Sequence, residues 1–115
     1  MNWVSLNTLE QLKDINTQSQ SQPVLIFKHS TRCPISSMAK RNLELDADLL
    51  PEQVKAYFLD LIQFRDISNQ VSEIWNKKHE SPQVLLIYNQ ECIYNCSHSD
   101  IDLADIVSQI EQIKA

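Results

Sequence analysis

The residues of this chain best suited to chemistry are gathered in Lys28-His29-Ser30-Thr31-Arg32-Cys33-Pro34-Ile35-Ser36. An apolar run, Val24-Leu25-Ile26-Phe27, leads into them and a helical pattern leaves them. Pro34 suits the first position of a helix, where its fixed φ fits and its missing N–H would have had no partner. Cys33 then lies beside unpaired backbone donors at the positive end of a helix dipole. Both favour thiolate over thiol. A lowered thiol pKa also lowers nucleophilicity, with a Brønsted slope of about 0.4–0.5, so the clearer gain is a sulfur that leaves well from a mixed disulfide. Cys33 is therefore the candidate nucleophile, in a site better suited to passing a thiol adduct on than to holding it. Ser36 stands where a dithiol motif carries its second cysteine, so nothing within the motif resolves such an adduct. Arg32 offers a guanidinium to a ligand carboxylate or stands as a solvated charge. His29 reads as a hydrogen-bonded structural histidine.

The elements that must position these residues follow from periodicity. Asn7-Thr8-Leu9-Glu10 carries helix-start chemistry, and Leu9, Leu12 and Ile15 predict a helix at about 8–17. After a polar loop, 24–28 reads as a buried strand, followed by a helix at about 34–47 with Ile35, Met38, Ala39 and Leu43 inward. The stretch 54–61 is apolar on both faces, as in a central strand covered on both sides. A third helix starts at Asp66 or Ser68, with Ile67, Val71, Ile74 and Trp75 as its apolar stripe. Val84–Tyr88 and Cys92–Cys96 form a hairpin about Asn89-Gln90. Ser99 or Asp100 caps a last helix whose buried face is Leu103, Ile106, Val107, Ile110 and Ile113. The order is αβαβαββα: an α/β fold with a four-stranded mixed sheet flanked by helices, in which crossovers make the first strands parallel.

Composition narrows the function. The 115 residues suit one domain, 1–115, with a single core. A net charge of -5 without a Lys/Arg cluster argues against broad nucleic-acid binding. No apolar run approaches the ~20 residues of a membrane span, and Met1–Ser5 shows no signal-peptide pattern. The chain has no glycine, which excludes a P-loop and a Gly-rich dinucleotide turn. Three cysteines are not the makeup of a disulfide scaffold, and a cytosolic location is the simplest reading. Cys92 and Cys96, four apart on one strand, would share a face roughly 13 Å apart, too far for a disulfide. With His98 they hint at metal, but no second ligand pair completes a site. Core packing is the default for both. The free N–H groups of the last helix, near His98, Ser99 and Asp100, offer either a cap or a place for a ligand carboxylate.

A strand, a Cys-Pro-x-Ser at the head of the next helix and a Ser-Pro just before a later strand resemble a monothiol thioredoxin-like redox protein. More closely, His29–Ser36, Arg65-Asp66-Ile67-Ser68, His79-Glu80-Ser81-Pro82-Gln83 and His98-Ser99-Asp100-Ile101 are similar to the YtxJ-type monothiol bacilliredoxins. The similarity runs in order over nearly the whole chain, with the first and third segments the specific ones. Arg32 and Cys96 depart from the family pattern, and Cys96 opens a second thiol as resolver. The resemblance implies a thioredoxin-like fold and a cytosolic enzyme that removes bacillithiol, or a similar low-molecular-weight thiol, from mixed disulfides on proteins. It implies Cys33 as the catalytic residue, with Arg32, Pro34, Ser36, Ser81 and Pro82 about the thiol ligand. It further implies a cis Pro82, with the Ser81 backbone pairing with the peptide-like part of the thiol. The small thiol would be a co-substrate, with no permanently bound cofactor, no metal, and S-thiolated proteins as partners. Two other functions stay open. One is an iron–sulfur-sharing monothiol glutaredoxin type, which usually carries Gly-Phe where Pro34-Ile35 stands; the other is a thioredoxin-like interaction domain without turnover.

Overall fold

A computed structural model describes residues 1–114. The strands are β1 (Trp3–Ser5), β2 (Val24–His29), β3 (Lys55–Asp60), β4 (Gln83–Tyr88) and β5 (Glu91–Ser97). The helices are α1 (Glu10–Gln18), α2 (Pro34–Leu45), α3 (Arg65–Ile74) and α4 (Leu103–Lys114), with 3-10 turns at Ala47–Leu49 and His98–Asp100. One sheet takes the order β1-β3-β2-β4-β5. β1 and β2 run parallel to β3, and β4 and β5 are antiparallel additions on the other side.

All six residues of β2 are buried, because helices cover both faces of the sheet. Val24 and Ile26 pack with Leu12 and Ile15 of α1 and Ile67 and Val71 of α3. Leu25 and Phe27 point the other way, into Ala39 and Leu43 of α2 and Leu103, Ile106 and Ile110 of α4. The period-2 alternation of side chains along a strand thus feeds two cores from one run. Among the described residues, no helix is long and apolar enough to cross a membrane.

The sheet has five strands rather than the expected four. The extra one, β1, is three residues long, too short to display an alternation. It is fixed by partners far along the chain. It pairs with Ala56–Phe58, its Trp3 ring stacks on Phe27 at 5.6 Å, and Trp3 Nε1 donates to Glu44 at 2.9 Å.

Helix faces differ where a polar residue takes a core position. On α2 the buried residues are Ser36, Ala39 and Leu43, while Ile35 and Met38 are 50% and 65% exposed. Apolar periodicity placed both inward; the face is set instead by a serine whose hydroxyl is consumed in the core. Leu9 and Ile74, expected inward, are also exposed. Asn7 does not cap α1 by its side chain; the Gln11 side chain accepts from the Asn7 and Thr8 N–H groups at 2.8 and 3.1 Å.

Lacking glycine, the chain reaches positive φ with other residues: Asn76, Asn89, Gln90 and His98. Asn76 ends α3, and the next N–H, of Lys77, donates back to Ser72 O at 3.1 Å, the closure expected of a left-handed helix end. Asn89 and Gln90 form the expected two-residue hairpin turn, where both central residues need φ > 0. Their N–H groups donate to the carbonyl and hydroxyl of buried Ser19, which ties the hairpin to the end of α1.

β5 carries a bulge. Cys92 lies opposite Ile87 and Tyr94 opposite Leu86, so Ile93 is the extra residue. One inserted residue exchanges the faces of everything beyond it. Cys92 therefore packs on the α1/α3 side and Cys96 on the α2/α4 side, not on one face as their spacing had suggested.

The corrected α2 face yields a stability contrast. Leu43→Ala should lower unfolding free energy by about 2–5 kcal/mol, because it empties a buried position. Met38→Ala should change it by less than about 0.5 kcal/mol. Urea unfolding of the two variants checks this.

Candidate active site

β2 ends at His29, and the chain turns so that the Cys33 N–H donates to Ser30 O at 3.2 Å. Cys33 is the extended residue that opens α2, with φ -111° and ψ 116°, and Pro34 is the first helical residue. No side chain caps this end, and Cys33 is partly exposed there. The helix start read from Cys-Pro is therefore in place.

Beneath the cysteine, Ser36 is completely buried. Its Oγ accepts from the Ser30 N–H at 3.0 Å and lies 2.7 Å from His29 Nδ1. Among the described residues Nδ1 is the one acceptor in reach of the Ser36 hydroxyl proton, so that proton is assigned to it, which leaves His29 with its own proton on Nε2. Burial and, after it, the Lys40 charge push the His29 pKa down, with Asp60 and Glu44 opposing, so the imidazole stays neutral as this bond requires. The sequence grouped Ser36 with the ligand contacts. In the structure it has no exposed surface, and its hydroxyl bonds the Ser30 N–H and the His29 ring. His29 is the structural histidine expected.

The Ser81–Pro82 bond is cis. β4 pairs with β2 so that Gln83 faces Lys28, which brings Pro82 to the end of the sheet from which the 30–33 loop departs. Pro82 is buried, and its carbonyl accepts from the His98 N–H at 3.0 Å, while Ser81 keeps partial exposure. The 98–100 turn packs against α2. Cys33, Ser81-Pro82 and residues 98–100 are thus gathered at one end of the sheet. Arg32 is exposed there and makes no ion pair among the described residues.

The last helix does not begin where expected. Neither Ser99 nor Asp100 caps it; both lie in a separate turn, and Asp102 Oδ1 accepts from the Ala104 N–H at 3.0 Å. That helix end is already served by a carboxylate. Cys92 and Cys96, both free, have pKa values pushed up chiefly by burial.

With this geometry in view, the sequence model for "Monothiol bacilliredoxin BrxC" matches residues 4–106. The chain belongs to the monothiol bacilliredoxin family. A solved structure described as a candidate oxidoreductase with a thioredoxin fold is 29% identical, over 95% of this chain and 93% of that one, at a TM-score of 0.78. Thioredoxin from Trypanosoma brucei brucei matches at 15% identity over 99% and 93% of the two chains, with a TM-score of 0.76. Malassezia sympodialis thioredoxin matches at 19% identity over 96% and 90%, with a TM-score of 0.72. The fold is thioredoxin-like, and bacilliredoxin membership gives the chain a thiol–disulfide redox role.

The sequence did not flag Lys28 as a structural residue. In this bacilliredoxin it is fully buried, and its Nζ donates to Ser68 O and Ser72 Oγ, both at 3.0 Å, and to His79 Nδ1 at 3.2 Å. It pegs α3 to the segment that runs into Pro82. The signal was a lysine inside an apolar strand run, where a charge is rarely left without partners. Gln83 braces the same segment, accepting from the Glu80 N–H and donating to Lys78 O.

Burial, and then Arg65, lower the Lys28 pKa to about 8 from 10.5. His79 is lowered as well, by burial and then by Lys28 and Arg65, with Glu80 opposing. Between those two pH values the unfolded chain binds more protons at Lys28 than the folded one, so stability from this group rises with pH. The penalty is complete below about 8 and relieved on approaching 10.5. The unfolding free energy of wild type minus that of Lys28→Met should therefore grow more positive across this window. Urea titrations at its two ends measure it, and a flat difference would contradict the assignment.

Proposed function

We propose that the chain is a monothiol thiol–disulfide oxidoreductase that strips bacillithiol, or a similar low-molecular-weight thiol, from mixed disulfides on cytosolic proteins. One observation carries the reading. A partly exposed cysteine opens α2, and the position one helical turn on, where a second thiol would resolve its adduct, holds the buried hydroxyl of Ser36.

The Cys33 thiolate attacks the sulfur of the small thiol. The mixed disulfide breaks, the client cysteine leaves as a thiolate and takes a proton, and a new S–S bond joins Cys33 to the small thiol. A second small thiol, as thiolate, then attacks that sulfur, releasing a symmetric disulfide and the Cys33 thiolate. The net exchange turns a thiolated client and one small thiol into a free client and a small-molecule disulfide. No resident cofactor is needed; the small thiol is the co-substrate. Arg32 lends positive potential beside the sulfur. Pro34 starts the helix whose free N–H groups face it. Ser81, held by the cis bond to Pro82, offers its backbone to the peptide-like part of the adduct.

The test uses a protein with one cysteine carrying the small thiol. Wild type should free that cysteine in the presence of the reduced thiol, and Cys33→Ser should fall to the uncatalysed rate. The Cys92→Ala/Cys96→Ala double variant should stay within about twofold of wild type, because neither sulfur touches the reacting atoms. Full activity in Cys33→Ser would overturn the proposal.

A further inference from the structure

Lys28 is an unusual residue to bury. Its side chain is fully enclosed in an apolar strand, where an aliphatic residue would fill the space without stripping a charge of water. Among the described residues no carboxylate pairs with it. Its Nζ donates instead to Ser68 O and Ser72 Oγ of α3, each at 3.0 Å, and to His79 Nδ1 at 3.2 Å. An ammonium only donates, so Nδ1 accepts and the neutral His79 carries its proton on Nε2. Burial, then the Lys28 and Arg65 charges, push the His79 pKa down against Glu80 and keep that ring neutral. Charge-assisted bonds of this kind are strong and directional.

What Lys28 holds is a stretch without regular structure. Residues 77–82 run from the left-handed Asn76 at the end of α3 to the cis bond before Pro82. Gln83 closes part of this stretch on itself, through the Glu80 N–H and Lys78 O. Those bonds set its shape and not its place. After Pro82 the β2–β4 ladder takes over, with Gln83 opposite Lys28. Ahead of Pro82 the tie to β2 is the Lys28 side chain on His79. Ser81 therefore lies between two anchors, and the same strand residue supplies both.

Consecutive residues of a strand face opposite ways. His29, on one face, bonds the Ser36 hydroxyl that fastens the loop carrying Cys33. Lys28, on the other, fastens the stretch that presents Ser81. One dipeptide at the end of β2 thus places both halves of the site.

We propose that the Lys28–His79 pair places the Ser81 backbone for substrate, and so governs how tightly a mixed disulfide is held rather than how fast sulfur is exchanged. The inference rests on the function proposed above, in which Ser81 meets the adduct. Lys28 and His79 are positioning residues. They act through Ser81, and Lys28, fully enclosed, meets no substrate itself.

The experiment uses a one-cysteine carrier protein charged with bacillithiol, cleared in excess free bacillithiol, and reads KM and kcat separately. His79→Leu removes the acceptor; His79→Asn restores one, because Asn Oδ1 stands two bonds from Cβ as Nδ1 does. His79→Leu should raise KM on the order of fivefold and keep kcat within about twofold of wild type, the mark of lost binding. His79→Asn should recover most of that KM. Lys28→Met should match His79→Leu, and the double variant should be no worse than Lys28→Met alone, because one contact is not lost twice. A residue that only supports the fold would, when replaced, lower the active fraction and so kcat, with KM unmoved. That result, an unchanged KM in every variant, or His79→Asn as poor as His79→Leu would overturn the positioning role and leave the proposed function standing. Should Lys28→Met not fold, the two His79 variants decide the matter. A wild type that does not clear the adduct would overturn both.

Discussion

The site depends on one buried hydroxyl. Ser36 holds the Ser30 N–H and the His29 ring at once, and so closes the loop that carries Cys33 onto the first turn of α2. Losing the bond to His29 would leave buried polar atoms without a partner, which costs about 1–3 kcal/mol. The loop is therefore held with Cys33 outward and the helix start open beside it. A hydroxyl oxygen does not take part in thiol–disulfide exchange, so what makes the motif monothiol is the absence of a second sulfur at this position, and the bond's part is to hold the loop.

Around that bond, buried charges are managed by pairing them with dipoles rather than with opposite charges. Lys28 gives its three protons to a carbonyl, a hydroxyl and a neutral imidazole. Such an arrangement fixes directions, since each bond has an angle to satisfy, and it ties α3 to the segment before Pro82. Both walls of the cysteine's surroundings, the 30–33 loop and the 79–82 loop, are thus anchored to adjacent residues of β2. Position, more than any strong field, is what the fold supplies.

Much of this was legible in the sequence, and for physical reasons. Cys33-Pro34 after Val24–Phe27 announces a strand, a turn and a helix start, because each of those residues has one comfortable backbone role there. The hairpin at Asn89-Gln90 and the stripe Ile67–Val71–Trp75 were equally direct. What could not be read depends on contacts distant along the chain. β1 exists because β3 and Phe27 wait for it. Ser36 displaces Ile35 and Met38 from the inner face because its partners lie at the end of β2. The bulge at Ile93, which sends Cys92 and Cys96 to opposite faces, leaves no mark in their spacing. Lys28, at the end of the strand read as buried, is one of its most buried side chains, and the partners that satisfy its charge lie far along the chain on α3 and at His79.

The central claim is that Cys33 works with no partner inside its own chain. Intact-mass analysis and peptide mapping of the protein, stopped after one exchange with a thiolated substrate and no added reductant, test it most directly. The account predicts a single small-thiol adduct, located on Cys33 and stable until a second thiol is supplied. A product two hydrogens lighter than the reduced protein, with Cys33 joined to Cys92 or Cys96, would contradict it.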